Sequence, residues 1–279
     1  MRGVNDGIGF IGLGSQGGPM AGRILEAGMP LIVWARRPDA LVRYTGKGAR
    51  STDSIAELGT QCRHVGICVV DDAGVLEICD QLIPAMAPGS LIAVHSTILP
   101  ETVMALDMRC RARCIHLVDA PVSGGGDIAA AGKLTVMCGA TSEAFALARP
   151  VFDTFGQLIV LLGSVGAGQQ AKIVNNALLS AHLGMAWAAI SIGEALGLDR
   201  AMLTSVIAAS SGRSYGFELA AQLSSPAQFG LGTKLLIKDL NLLHTLLPDS
   251  INVDQLRRAA SGFLQSEDGA LRLQPGGER

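Results

Sequence analysis

Lys172 sits in the segment Gly166-Ala-Gly168-Gln-Gln-Ala-Lys172-Ile-Val-Asn175-Asn176. A lysine with asparagines three and four residues on puts a proton donor and polar orienters on one helix face. Much earlier stands a glycine pattern, Gly12-Leu-Gly14-Ser15-Gln16-Gly17. Such a turn opens a helix whose unpaired N–H groups hold a pyrophosphate. The two motifs together describe a chain that moves a hydride and a proton. The glycine pattern alone is weak: with 35 glycines in 279 residues, chance supplies roughly half an instance. Context strengthens it. It follows the apolar run Ile8-Gly-Phe-Ile11 and leads into Gly18-Pro19-Met20, with proline at a tolerated first-turn position. Gly12 suits a tight turn, Gly14 a close backbone approach and Gly17 a helix–strand contact. Ser15 and Gln16 lie inside the turn, and Val70, at the end of the third expected strand, joins the same cofactor set.

The remaining candidates also follow apolar runs. The second run ends Val33-Trp34-Ala35-Arg36-Arg37 and carries no acid for a ribose hydroxyl. Two guanidinium groups there suit the 2′-phosphate of NADP over NAD, a solvated surface pair being the alternative. Thr97, in His95-Ser96-Thr97-Ile-Leu-Pro100, is either a cofactor contact or the N-cap of a helix over Pro100–Ala112. In Asp119-Ala-Pro121-Val-Ser123-Gly124-Gly125-Gly126, successive backbone N–H groups and a hydroxyl can cradle a carboxylate; a ligand-free loop is the alternative. Lys172 has apolar neighbours (Ala171, Ile173, Val174), and burial disfavours the charged form of a lysine. A lone surface lysine is the competing reading. Lys238-Asp239, inside an apolar helix, is a structural ion pair or a cofactor contact. His64, His116, His182 and His244 take no role, and no Cys/His spacing suits zinc, so no metal is expected.

Positioning these residues requires two kinds of domain. Short apolar runs at Ile8–Ile11, Leu31–Ala35, Val65–Val70, Leu91–Val94, Cys114–Val118, Leu134–Cys138 and Leu158–Leu162 alternate with helical patterns such as Pro19–Ala27, Val75–Met86 and Pro100–Ala112. That alternation predicts an N-terminal doubly wound α/β domain over residues 1–163 with a mostly parallel sheet. From 164 to 265 only helices are expected: Gln169–Leu196, Ala201–Ala209, Leu235–Leu247 and Val253–Leu264. The first is too long and too apolar on all sides to stand alone in water, and it reads as a buried interdomain helix. Residues 266–279 read as a frayed tail.

Composition narrows the function. Net charge is −2, which gives no reason to expect nucleic acid or an anionic membrane as partner. Aromatics make up only 4%, too few for a stacking surface. Six cysteines without Cys-x-x-Cys pairs, and no secretory signal, suit reduced thiols in a cytoplasmic protein.

Taken in order, Gly12-x-Gly14-x-x-Gly17, His95-Ser-Thr97-x-x-Pro100, Asp119-Ala-Pro-Val-Ser123-Gly124-Gly125, Gly166-Ala-Gly-Gln-x-Ala-Lys172-x-x-Asn175-Asn176 and Lys238-Asp239-Leu240 resemble the β-hydroxyacid dehydrogenase family over residues 7–245. That family includes 3-hydroxyisobutyrate dehydrogenase and tartronate semialdehyde reductase. The resemblance implies a Rossmann domain followed by an all-α domain, assembled as a homodimer or tetramer. It implies Lys172 as general acid/base, Asn176 with neighbouring Asn175 as substrate orienters, and Ser123, Gly124 and Gly125 as holders of a small-molecule carboxylate. Thr97 and Lys238 would touch the cofactor. The family often carries an acid where this chain has His95, and its region after Leu247 is here short. Two further readings stay open: a reductase of imines or bulkier carbonyls, which typically lacks the lysine, and a dinucleotide-binding regulator without turnover.

Overall fold

The computed structural model describes residues 6–264; the tail expected from Ser266 lies outside them. Nine strands form one sheet: β1 (Gly7–Ile11), β2 (Leu31–Trp34), β3 (Arg50–Ser51), β4 (Cys62–Ile67), β5 (Leu91–Val94), β6 (His116–Asp119), β7 (Val122–Ser123), β8 (Leu134–Gly139) and β9 (Gly156–Gly163). Their order is β3-β2-β1-β4-β5-β6-β8-β7, with β9 paired to β8. The first six strands of that order are all parallel; β8 runs antiparallel to β6 and β7 and parallel to β9. Interleaved are α1 (Gly17–Glu26), α2 (Asp39–Thr45), α3 (Ile55–Gln61), α4 (Asp72–Ala85), α5 (Pro100–Arg111), α6 (Gly125–Ala130) and α7 (Ser142–Phe152). Then come α8 (Ala167–Ala195), α9 (Arg200–Ala208), α10 (Tyr215–Ala221), a 3-10 turn at Pro226–Phe229, α11 (Leu231–Leu246) and α12 (Ile251–Leu264).

The sheet is apolar on both faces because helices cover both, as parallel sheets require. A strand's two-residue period sends Leu91 and Ala93 into one core, with Phe10, Phe152 and Phe155, and sends Ile92 and Val94 into the other, with Leu58, Leu82 and Leu106. Two expected strands shift. The one placed at Val65–Val70 runs Cys62–Ile67, leaving Val70 exposed beyond its end. The one placed at Cys114–Val118 starts at His116, because Cys114 sits at φ +53° in the turn before it. Cys114 is also exposed and Cys68 half-buried, whereas the other four thiols are buried; all six are free.

The chain forms two compact units that divide at Lys172/Ile173, inside α8. The second unit packs Ile173, Leu183, Ile190, Phe217, Leu240 and Phe263 into one core. Gly184 lets α8 meet α12 closely, since a Cβ there would run into the Ala259 carbonyl. Along α8, Val174, Leu178, Met185 and Ile192 are exposed. The helix is long and apolar enough to cross a membrane by length and composition, and half of its most apolar window is buried.

The first core also buries two histidines. His95 stacks on Phe10 at 5.9 Å and meets the edges of Phe152 and Phe155, while His64 meets Phe152 at 6.0 Å. His95 Nδ1–H donates to the Ala120 carbonyl at 2.8 Å. Burial drives His64 down to about 3 and His95 down to about 4. Unfolded histidines titrate near ~6.5, so the stability these groups contribute is present above that pH and is lost as pH falls through it. Asp119 acts oppositely, because burial pushes it up to about 6, so it takes a proton while still folded. We expect the cost at pH 5 to be ~2 kcal/mol per histidine. His64→Leu should therefore lose about 2 kcal/mol less than the parent between pH 7 and pH 5 in urea titrations. Equal losses would remove His64 as a source of acid sensitivity.

Candidate active site

Five neighbouring parallel strands, β2, β1, β4, β5 and β6, end on one edge of the sheet, and the turns after them carry the expected residues of the first unit. Ligands bind at this edge in doubly wound sheets. After β1, Gly12 adopts φ +98°, and a Cβ there would run into the Cys68 carbonyl. Gly17 likewise has no room for a side chain against the Gly12 carbonyl. Gly14 differs: a Cβ would meet nothing within 4 Å, and the residue is exposed. Two glycines thus serve the fold, and one leaves open space. The N-terminus of α1 has no side-chain cap, and Gln16 Nε2 is buried without a hydrogen-bond partner. An orphaned amide beside uncapped helix N–H groups fits a pyrophosphate. Arg36 and Arg37, after β2, are exposed, and Arg36 lies 3.4 Å from Glu77.

After β5, Thr97 is half-buried but does not cap α5. The N-cap is Leu99, and the capping acceptor comes from α4: Asp72 Oδ1 accepts from Leu99 N–H at 3.0 Å and from the Thr102 hydroxyl at 2.6 Å. The N-cap alternative for Thr97 therefore falls. Ser96 Oγ accepts from Val69 N–H at 2.8 Å, joining the turn after β5 to the one that holds Val70.

After β6, the expected carboxylate loop is more ordered than a bare loop. Val122 and Ser123 pair with β8 as β7. Gly124 (φ +139°) and Gly125 (φ +79°) then swing the chain into α6. A Cβ on Gly126 would approach the Ser15 carbonyl at 2.7 Å, so this segment lies against the turn after β1. Ser123 and Gly124 are half-buried, and Gly125 is exposed.

On α8, the buried polar residues Gln169, Lys172, Asn176 and Ser180 recur at helical spacing and form one stripe among buried positions that are otherwise apolar or glycine. Lys172 closes the first unit and is 8% exposed. In the second unit, the structure brings Asn175, Asn176 and Lys238 together around Asp239, the acid of the expected ion pair, whose contact with the asparagines the sequence did not signal. Asn175 Nδ2 donates to Asn176 Oδ1 at 3.1 Å, and Asn176 Nδ2 donates to Asp239 Oδ2. Lys238 Nζ lies 2.9 Å from Asp239 Oδ1. The ion-pair reading of Lys238-Asp239 is thus realised.

Other polar residues were also missed. Asp119 and Gln169 are both 0% exposed and tie the start of α8 to the sheet edge. An acid closing an apolar strand was the only signal for Asp119. Gln169 stood only as one matched position of the Gly166–Asn176 segment, and its partners, 71 and 73 residues away, were not legible from it.

Residues 7–163 match the family model described as the NAD binding domain of 6-phosphogluconate dehydrogenase. Residues 166–255 match that described as NAD-binding of NADP-dependent 3-hydroxyisobutyrate dehydrogenase. The chain is 35% identical to the NAD-dependent L-serine dehydrogenase of Pseudomonas aeruginosa, over 84% of this chain and 83% of the relative. Among solved structures, it is similar to Mycobacterium tuberculosis 3-hydroxyisobutyrate dehydrogenase with L-serine (26% identical, TM-score 0.80, 92% of each chain). It is also similar to Psf3 in complex with NADP+ and 2-OPP (28% identical, TM-score 0.81, 92% of each chain).

The contrast between glycines gives a direct test. Gly14→Ala should leave Tm within ~1 °C yet weaken NADP(H) binding about tenfold, ~1.4 kcal/mol, because the methyl enters the space the backbone keeps clear. Gly12→Ala should lower Tm by several degrees, since it forces φ > 0 on a residue with a Cβ. Thermal melts and cofactor fluorescence read both. Matching Tm losses in the two variants would contradict the division.

Proposed function

Because the chain belongs to the β-hydroxyacid dehydrogenase family, NAD(P)-dependent oxidoreductases that act on the CH–OH group of small hydroxyacids, we propose that Lys172 is its general acid/base. NADP held by the Gly12–Gly17 turn would supply the hydride acceptor for oxidation, and its reduced form the hydride donor for the reverse direction. Lys172 takes the hydroxyl proton as the alcohol becomes a carbonyl and gives it back in the reverse direction. The observation that carries this reading is the burial of Lys172 within the polar stripe of α8. There the amine is withdrawn from bulk water, so the proton it exchanges stays within the site.

The other roles follow from the chemistry of each group. Ser123 and the amides of Gly124 and Gly125 hold the substrate carboxylate. Asn176, one turn beyond Lys172, orients the hydroxyl, with Asn175 fixing its amide. Asn176 can do so while bonded to Asp239, because its oxygen has a second lone pair and its nitrogen a second N–H. The turn Gly12–Gly17, with Ser15 and Gln16, takes the pyrophosphate; Val70, Thr97 and Lys238 complete the cofactor contacts. Arg36 and Arg37, both exposed after β2, would hold the 2′-phosphate of NADP. Substrates of the 3-hydroxyisobutyrate and L-serine kind fit this set. Six free cysteines suit a reducing compartment such as the cytoplasm.

Steady-state assays on a panel of small hydroxyacids, run with both cofactors, test the reading. Lys172→Ala should lower kcat by about 10²–10⁴ with NADP(H) binding nearly intact. Lys172→Arg should not restore it, because a guanidinium keeps its proton. More than about a tenth of the parent kcat in the Ala variant would end the proposal. In the same assays NADP should be the better cofactor, and equal kcat/KM for both would remove the role given to Arg36 and Arg37.

We also assign dimerisation to the second unit. Val174, Leu178, Met185 and Ile192 are exposed at spacings of four and seven, the seam that a second helix of the same kind covers. A second copy of this chain is the fitting occupant, with an interface above about 2,000 Å². Light scattering at micromolar concentration should return a dimer or a multiple of it; a monomer would refute the assignment.

A further inference from the structure

Two buried polar residues with no part in the chemistry above hold the first turn of α8. Asp119, the last residue of β6, divides its carboxylate: Oδ1 accepts from Gly166 N–H and Oδ2 from Gln169 N–H, each at 2.8 Å. Absent side chains permit the approach. A Cβ on Gly139 would run into Asp119 Oδ1, and one on Gly168 into the Met137 carbonyl. Two backbone N–H groups at a helix start, each bonded to its own oxygen of one carboxylate, fix both the position and the direction of the helix.

Gln169 makes the second connection, from the helix back to the sheet edge. Its Oε1 accepts from Ile98 N–H at 3.0 Å, and its Nε2 donates to the Ser96 carbonyl at 2.9 Å. One side-chain amide thus grips the backbone on either side of Thr97. Gln169 lies three residues before Lys172 on the same face of α8. Apolar packing is non-directional and would tolerate a small slide or roll of this helix. A buried amide with an acceptor facing one backbone group and a donor facing another would not, because displacement strands both.

We propose that Gln169, anchored through Asp119, is a positioning residue that sets the separation of Thr97 and Lys172, and so aligns the cofactor's reactive end with the proton donor. The inference rests on the reading of Lys172 as general acid/base. It places reaction geometry in two hydrogen bonds remote from the substrate.

The test uses Gln169→Met, which keeps the length and removes both bonds, and Asp119→Asn, which turns an N–H toward one of the backbone N–H groups. Lys172→Ala is measured alongside. In the cofactor-free protein, hydrogen exchange should quicken at Ile98 and across the start of α8 in both variants. NADP affinity should stay within about threefold of the parent. The kcat should fall about 10- to 100-fold, the range that a misplacement of ~1 Å produces, and the deuterium isotope effect on kcat should rise as hydride transfer becomes limiting. An unchanged kcat in Gln169→Met, with Lys172→Ala inactive, would overturn the positioning role and leave the reading of Lys172 standing. So would a fall in kcat with an unchanged isotope effect and a parallel loss of NADP affinity. An active Lys172→Ala would overturn both. If Gln169→Met does not fold, Asp119→Asn alone carries these outcomes.

Discussion

The buried carboxylate of Asp119 constrains the whole first unit. A charged group at 0% exposure is costly unless every lone pair finds a donor. Among the described residues that demand is met with backbone: the N–H groups of Gly166 and Gln169 each bond one of its oxygens. Much else follows from this arrangement. Gly166 takes φ +100° to bring its N–H round, and Gly139 and Gly168 give up side chains so that a helix can touch a strand. Burial still outweighs the hydrogen bonds enough to push the acid up to about 6, so the feature that orders the helix start also ties that order to pH. The His64 and His95 pair, buried neutral in an aromatic box, carries the opposite dependence.

Glycine in this chain divides between building and clearing. Gly12 and Gly17 are required by the fold, because their neighbours leave no volume for a methyl group. Gly14 is not: among the described residues, a Cβ there would meet nothing within 4 Å. The buried, unpartnered Gln16 Nε2 lies in the same turn. An unused space and an unused donor within one turn are hard to account for by folding alone and are simple to account for by an anion.

Local pattern carried the architecture well. Short apolar runs alternating with helical patterns located the seven long strands and α8, because nearly every strand residue is apolar. Periodicity misplaced ends where tertiary partners decide them. β4 begins at Cys62 because it pairs with β1 across Gly7, although exposed Arg63 breaks the apolar run. The cap of α5 comes from Asp72 on another helix, so no residue near Thr97 signalled it. The short strands β3 and β7 have no period to read at two residues each. At the sheet edge, the motifs supplied residue types. The bonds of Gln169, which span more than 70 residues, arise only once β5 and α8 are side by side.

The second unit shows the same economy in another form. Asp239 is buried at 3% exposure and is reached by Lys238 from its own helix and by Asn176 from α8. Replacing such a group by apolar residues is often neutral or stabilising, so stability alone does not account for it. The same holds for Gln169, Lys172, Asn176 and Ser180 on a helix whose other buried positions are apolar or glycine. Leucine at these places would pack more simply and would need no partners. A helix of 29 residues that keeps one polar stripe through its buried side gives up apolar packing at each of those four positions. Two of them, Lys172 and Asn176, stand four residues apart on one face of that helix, and the roles proposed for them draw on that shared face.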